Sequence, residues 1–365
     1  MRGASGKSAR IMNTAASFDI AGVRIAPGTA RDVTFQITTM ATGMASSLAV
    51  RVLHGARPGP AVFVSAAIHG DEIIGTAIIQ RLAQALRPEN LSGTVLLVPV
   101  ANIFGFLNRS RYLPDRRDLN RSFPGSSGGS LAGQIANIFY REVVGRCQLG
   151  IDIHSAAIHR YNLPQVRIAA GNKRLTELAM AFGAPVIIES PLREGSLRDL
   201  AHQTGVEMLL LEAGEALRFD RLSIETGVAG VGRVLGHIGM IEADDGLANV
   251  GIPARANRSV WVRSPRGGVM QAVRESGAPV RKGDLLACVS GLFGEDAQEM
   301  ISPVDGIIIG HATLPVVHQG DALFHIAEIP HPERVGAQIE SITEAILASE
   351  PEGFAERLLD EDEVV

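Results

Sequence analysis

Four short stretches of this chain hold residue types that could do chemistry together. They are "AIHGDEIIG" around His69 and Glu72, "NRSRYLPDRRDLNR" spanning residues 108–121, "IDIHSAA" around His154, and "LLLEAGE" around Glu212. A His and a Glu three residues apart can hold one ion only where the chain turns, because positions i and i+3 of a strand point to opposite faces. His325 and Glu328 in "LFHIAEI" have the same spacing inside an apparent strand, and that pair is read as structural. His69 and Glu72 instead lie where a buried apolar run gives way to a helix-like run, and Gly70 is read as giving the turn its freedom. With His154 they form a set of two histidines and one carboxylate. Such a set leaves a coordination position open for water, which is the pattern of catalytic rather than structural zinc. Neither of the two cysteines, Cys147 and Cys288, lies near these residues, so a closed Cys-rich site is excluded.

The elements that must bring these residues together are legible from periodicity. "DVTFQI" and "SLAVRVL" alternate as half-buried strands. "AVFVSAAI", "GTVLLVPV", "LGIDI", "PVIIE" and "VEMLLL" read as buried strands. "IIGTAIIQRLAQAL", with apolar positions 74, 77, 78, 82, 85 and 86 on one face, reads as a helix that stops before Pro88. "LAGQIANIFYREVV", "KRLTELAMAF" and residues 222–240 read as further helices. Alternating strands and helices with continuously apolar strands predict an α/β sheet covered on both faces. Ligands bind such sheets at the carboxyl ends of strands. His69/Glu72, His154 and Glu212 follow three different strands, so folding could gather them.

Near residue 250 the texture shifts to Gly, Pro and Val. "SPRGGVMQAVRESGAPVRKGDLLACVS" and "SPVDGIIIGHATLPVVHQGDALFHIAE" share an opening Ser-Pro, an early Gly and a closing Gly-Asp before an apolar strand. This predicts a small all-β module with internal pseudo-symmetry, similar to the biotinyl/lipoyl barrel-sandwich but without the Lys that carriers modify. The expected division is a lead-in and β segment over 1–44, a catalytic domain over 45–255, a β domain over 256–330, and a helical and acidic tail over 331–365. Composition narrows the function classes. Hydrophobic residues make up 46%, charged residues 20%, and the net charge is −5, without the basic footprint of a nucleic-acid binder. The longest apolar stretch, "VLLVPVANIFGFL", falls short of the ~18 residues a spanning helix needs. No secretory signal is evident at the N-terminus, and two distant cysteines suit a reducing cytoplasm.

The combination "IHGDEIIG", "RY…DLNRSFPG", "IDIHSAA" and "LLLEAGE", in that order, resembles the succinylglutamate desuccinylase/aspartoacylase family, a branch of the zinc carboxypeptidase superfamily. The resemblance covers roughly residues 45–330. It implies a zinc-carboxypeptidase-like mixed sheet flanked by helices, followed by a smaller all-β barrel-sandwich-like domain. It also implies a zinc-dependent amidohydrolase that cleaves an N-acyl amino acid or a similar small carboxylate. One Zn²⁺ per chain would be held by His69, Glu72 and His154. Glu212 resembles the family's general base and proton shuttle, and Arg111 the arginine that polarises the scissile carbonyl. Asn120 and Arg121 resemble the pair that grips the substrate carboxylate, and Asp118 the carboxylate that orients a zinc histidine. The chain departs from the compact members in the inserted "LPDRR", which leaves Arg109, Arg116 and Arg117 as rivals for the role of Arg111. His159, Arg160, Asn162, Arg193 and Arg198 are candidates for reading the acyl group. The expected partner is a small N-acyl amino acid, with neither nucleic acid nor membrane, and a homo-oligomer is compatible with the sequence. A metallocarboxypeptidase of small peptides and a non-catalytic binding module on a hydrolase fold are the alternatives.

Overall fold

The structure is a computed structural model that describes residues 14–40, 42–242 and 251–348. The lead-in before residue 14 and the acidic "DEDEVV" end lie outside the described residues. A short hairpin, β1 (Phe18–Ile20) and β2 (Val23–Ile25), precedes β3 (Thr29–Thr39), β4 (Ala45–His54) and β5 (Arg57–Ala66). The chain then alternates through α1 (Ile74–Ala85), β6 (Ser92–Val98), α2 (Ile103–Leu107), α3 (Leu131–Glu142), β7 (Leu149–Ala156) and β8 (Arg160–Ile168). Next come α4 (Lys173–Phe182), β9 (Val186–Glu189), α5 (Leu197–Thr204), β10 (Glu207–Glu215) and α6 (Arg221–His237). The C-terminal region contributes β11 (Ala254–Ala256), β12 (Ser259–Arg263), β13 (Gly268–Ala272), β14 (Pro279–Val280) and β15 (Leu285–Ser290). It ends with β16 (Gln298–Ile301), β17 (Gly306–Ala312), β18 (Val316–Val317), β19 (Ala322–Glu328) and α7 (Pro332–Ala348).

A mixed sheet of 13 strands organises the molecule, with a path β12-β19-β17-β8-β10-β7-β5-β6-β4-β3. Its centre, β10-β7-β5-β6, is parallel. These strands are the continuously apolar runs of the sequence, because both faces are covered. Helices α1, α4 and α6 pack on one face around Ile78, Ile151, Phe182 and Leu211. Helices α3 and α5 pack on the other around Phe63, Leu96, Phe139 and Leu200. Helix α1 buries Ile74, Ala77, Ile78, Ile79 and Leu82, close to the stripe its spacing predicts. Gly75 lets it approach the sheet, since a Cβ there would lie 2.4 Å from the Cβ of Ala66.

The β module forms a separate antiparallel sheet, β16-β15-β13-β18. Its remaining strands are not separate. β17 pairs antiparallel with Arg160, Tyr161 and Asn162 of β8, which carries β17, β19 and β12 into the main sheet. The second half of β8, Gln165–Ile168, pairs with β9 instead. Pro164 falls where β8 exchanges one neighbour for the other, a point where the missing N–H of proline is tolerated. At the other end, β3 pairs with β4 and extends the same sheet. Among the described residues no helix is long and apolar enough to cross a membrane.

Candidate active site

The parallel strands β5, β7 and β10 end on one side of the sheet. Past β5 the backbone turns through Ala67, at φ 50°. The His69–Glu72 corner then closes with the Glu72 N–H donating to the His69 carbonyl at 3.1 Å. This turn brings i and i+3 to one place. Gly70 serves it differently from expectation. Its backbone is not left-handed, and a Cβ there would sit 2.0 Å from the carbonyl carbon of Gly105. The glycine supplies room for a close approach of two backbones, not conformational freedom.

Glu72 joins both histidines. Its Oε1 lies 2.7 Å from His69 Nδ1 and its Oε2 2.7 Å from His154 Nδ1. All three side chains are buried, and their ligand atoms lie within 4.8 Å of one another. The outer nitrogens face other carboxylates. His154 Nε2 is 2.7 Å from Asp152 Oδ2, and His69 Nε2 is 3.3 Å from Asp118 Oδ1. Asp152 is itself fixed by the Ser65 hydroxyl, which donates to Oδ1 at 2.7 Å. A proton held on Nε2 leaves each Nδ1 lone pair free, and both lone pairs converge with a carboxylate. This donor set fits a divalent cation of the zinc type. Burial pushes the Glu72 carboxyl up, but His69 and His154 outweigh it and hold it well below the usual range. Burial likewise opposes the charge on His154, yet Asp152 and Glu72 raise its pKa well above the ordinary value.

Arg111 reaches into this group. One guanidinium nitrogen is 3.3 Å from Glu72 Oε1 and the other donates to Asp118 Oδ2 at 2.9 Å. Arg109, Arg116 and Arg117 are exposed and line no part of the cavity beside the triad. Asp118 therefore touches both Arg111 and His69, and its backbone-facing Oδ1 also accepts the Asn120 N–H at 2.8 Å. Asn120 and Arg121 both line the cavity. Asn120 Oδ1 accepts the Leu197 N–H at 2.9 Å, which ties the loop to the start of α5. Burial, with Arg193 and Arg111 nearby, pushes the Arg121 pKa down.

Glu212 stands beside His154 in the register of β10 and β7. Neighbours in a parallel pair project to the same face, so both reach the cavity. The pairing shifts immediately after Glu212, at Gly214. Asn162 Nδ2 donates to Glu212 Oε2 at 2.9 Å, and Arg167 lies 3.5 Å from Oε1. The cavity has a volume of about 380 Å³. Of the acyl-reading candidates, Arg160, Asn162, Arg193 and Arg198 line it, whereas His159 is exposed on the turn before β8. His325 and Glu328 do not converge. The former meets Ser259 at 2.9 Å and the latter lies 3.6 Å from Arg258.

Sequence reasoning missed Asp152, Ser65, Arg167 and Trp261. Asp152 had a signal, since it lies two residues before His154 and so on the same strand face. The other three gain their places only through strand pairing.

Comparison with known proteins places these features in context. Residues 58–238 match the model of the succinylglutamate desuccinylase/aspartoacylase catalytic domain. The N-alpha-acetyl-L-2,4-diaminobutyric acid deacetylase of Halomonas elongata is 29% identical over 289 residues, covering 74% of this chain and 83% of that protein. The product-bound ectoine utilization protein EutE (DoeB) from Ruegeria pomeroyi superposes with a TM-score of 0.73 at 24% identity, over 82% of this chain and 95% of that one. A succinylglutamate desuccinylase/aspartoacylase from Rhodobacter sphaeroides superposes with a TM-score of 0.71 at 25% identity, over 83% and 96%.

Proposed function

Because the chain belongs to the succinylglutamate desuccinylase/aspartoacylase family, we propose that it is a zinc-dependent deacylase that hydrolyses the amide bond of an N-acyl amino acid or a similar small carboxylate. The observation that carries this reading is the His69–Glu72–His154 set with Glu212 in register beside His154. Its 29% identity with a deacetylase supports the reaction class. His69, Glu72 and His154 would hold the ion. When bound, zinc supplies Lewis acidity and brings the pKa of water down toward neutrality.

The remaining roles belong to the chain. Glu212 takes the proton of the attacking water and returns it to the leaving amine, a shuttle suited to a carboxylate. Asn162 and Arg167 hold that carboxylate in place. Arg111, aimed at the triad by Asp118, stabilises negative charge as it develops on the carbonyl oxygen. Arg121 and the amide of Asn120 receive the substrate carboxylate, and the planar guanidinium suits two parallel hydrogen bonds. Asp118 and Asp152 orient the two histidines. The two free cysteines, Cys147 and Cys288, suit work in the cytoplasm.

Steady-state assays of the zinc-loaded protein on N-acyl amino acids and on dipeptides test the reading. Hydrolysis of the former is expected; hydrolysis of dipeptides alone would move the assignment to a carboxypeptidase, and no turnover to a binding module. Glu212→Gln is expected to retain zinc and lose about 10²–10⁴-fold in kcat. An active variant would remove Glu212 from the role of base.

A further inference from the structure

The 13-stranded sheet ends at β3, and that end is open. β3 pairs with β4 from Thr29 to Thr39. On its other side, the backbone N–H and C=O groups of β3 meet no partner among the described residues. Edge strands usually avoid a neighbour by being short, by carrying Pro or Lys, or by a bulge. β3 is 11 residues long, "TARDVTFQITT", and holds neither Pro nor Lys. Its one such device is the register shift between Gln36 and Thr38, which leaves Thr29–Gln36 regular. Asp32 is taken up by Arg51 of β4. Arg31 is exposed, and its guanidinium has no carboxylate or hydrogen-bond partner among the described residues.

A groove of about 330 Å³ lies beside this open edge, lined by Ala21, Phe35, Ile138, Arg141 and Glu142 among others. Glu142 is its one carboxylate, and it accepts from Arg146 at 2.8 Å. Val33 is buried in the cluster that α3 covers, and Phe35 packs against the same cluster. Alternate residues share a face, so Arg31 projects to the side of α3 as well. A strand added at the edge would send every second side chain toward this groove. Open main-chain groups beside a groove for alternate side chains are the two requirements for recognition by strand addition.

We propose that the added strand is β3 of a second copy, so that the sheet runs on through a two-fold homodimer. A two-fold axis perpendicular to the sheet pairs the strand antiparallel with itself and keeps each residue on its own face. Centred on Arg31 or on Asp32, the axis sets like charges directly opposite, which is destabilising. Centred on Val33, it joins Ala30–Gln36 to the same residues of the other copy, stays within the regular stretch, and opposes no like charges. Asp32 then faces Thr34, and Arg31 faces Phe35. Arg31 of each copy enters the groove of the other, its stem along Phe35 and Ile138 and its guanidinium toward Glu142. The unpaired arginine and the groove's carboxylate thus answer each other twice across the axis. The pairing is independent of the metal and of the reaction.

Sedimentation equilibrium of the full chain over a range of concentrations gives the dimer dissociation constant. The wild type is expected to be a dimer. Arg31→Glu should weaken it by about tenfold or more, because the like-charge contact with Glu142 arises twice. Glu142→Arg should weaken it by a similar factor. The double variant Arg31→Glu/Glu142→Arg should return to within about threefold of the wild type, since the swap restores opposite charges. Arg174→Glu, on α4 at the opposite face of the sheet, should leave the constant unchanged. Circular dichroism of each variant checks the fold. Three outcomes overturn the proposal. A wild type that stays monomeric would leave the edge to a strand of another protein. A dimer indifferent to both single variants would place the interface on another face. Losses that add in the double variant would separate Arg31 from Glu142.

Discussion

Asp152→Asn removes one negative charge from behind His154 and almost nothing else. Asp152 is 1% exposed, and both its oxygens are engaged, one by Ser65 and one by His154 Nε2. Asparagine is nearly isosteric. Its oxygen can still accept from Nε2, and its amide can still meet the Ser65 hydroxyl. The loss is therefore the difference between a charge-assisted and a neutral hydrogen bond, about 1.5–3 against about 1 kcal/mol. A less polarised imidazole is a poorer donor at Nδ1. The expected weakening of zinc affinity is about tenfold, the lower end of the 10–100-fold range for partners of metal-bound histidines. Zinc affinity is read by competition with a chelator at neutral pH, and thermal melting of the metal-free protein checks the fold. Asp152→Ala should also lower the melting temperature, because it strands Nε2 and the Ser65 hydroxyl in the interior at about 1–3 kcal/mol each. Asp32→Asn, at an exposed carboxylate paired with Arg51, is the control. Unchanged affinity in Asp152→Asn, or an equal loss in Asp32→Asn, would refute the reasoning.

Three further outcomes are expected. His154→Ala should lower bound metal sharply in elemental analysis while His325→Ala should not; equal metal in both would sink the ligand set. Arg111→Ala should cost about 3 kcal/mol in activation free energy, on the order of a hundredfold in kcat, whereas exposed Arg109→Ala should leave kcat within about twofold. If the two variants lose alike, carbonyl stabilisation belongs elsewhere in the loop. Gly70→Ala should destabilise by about 1–3 kcal/mol, because its Cβ meets the Gly105 and Phe106 backbone, which cannot swing aside as a side chain could. A melting temperature equal to that of the wild type would contradict that packing.

The sequence by itself determined the α/β alternation, since burial on both faces writes itself as apolar runs and 3.6-residue stripes. It also marked His69, Glu72, His154 and Glu212, because each lies in the carboxyl-terminal half of a strand or in the turn just past it, and these share one edge of a parallel sheet. It could not show β8 as a strand. Pro164 and the polar residues around it argue against one, and only the change of partner from β17 to β9 makes the proline harmless. Nor could it choose among the arginines of residues 109–117, where the fold of the loop turns Arg111 toward Glu72 and leaves its neighbours in solvent. Gly70 was visible as a glycine, but its reason, the Gly105 backbone 35 positions away, was not. Trp261 is the extreme case. It stands 49 residues beyond Glu212 and reaches the cavity because β12, β19 and β17 join the main sheet through β8. Local spacing encodes which residues share a strand face or a turn. Register between distant strands decides which of those faces meet, and no short window of sequence carries that information.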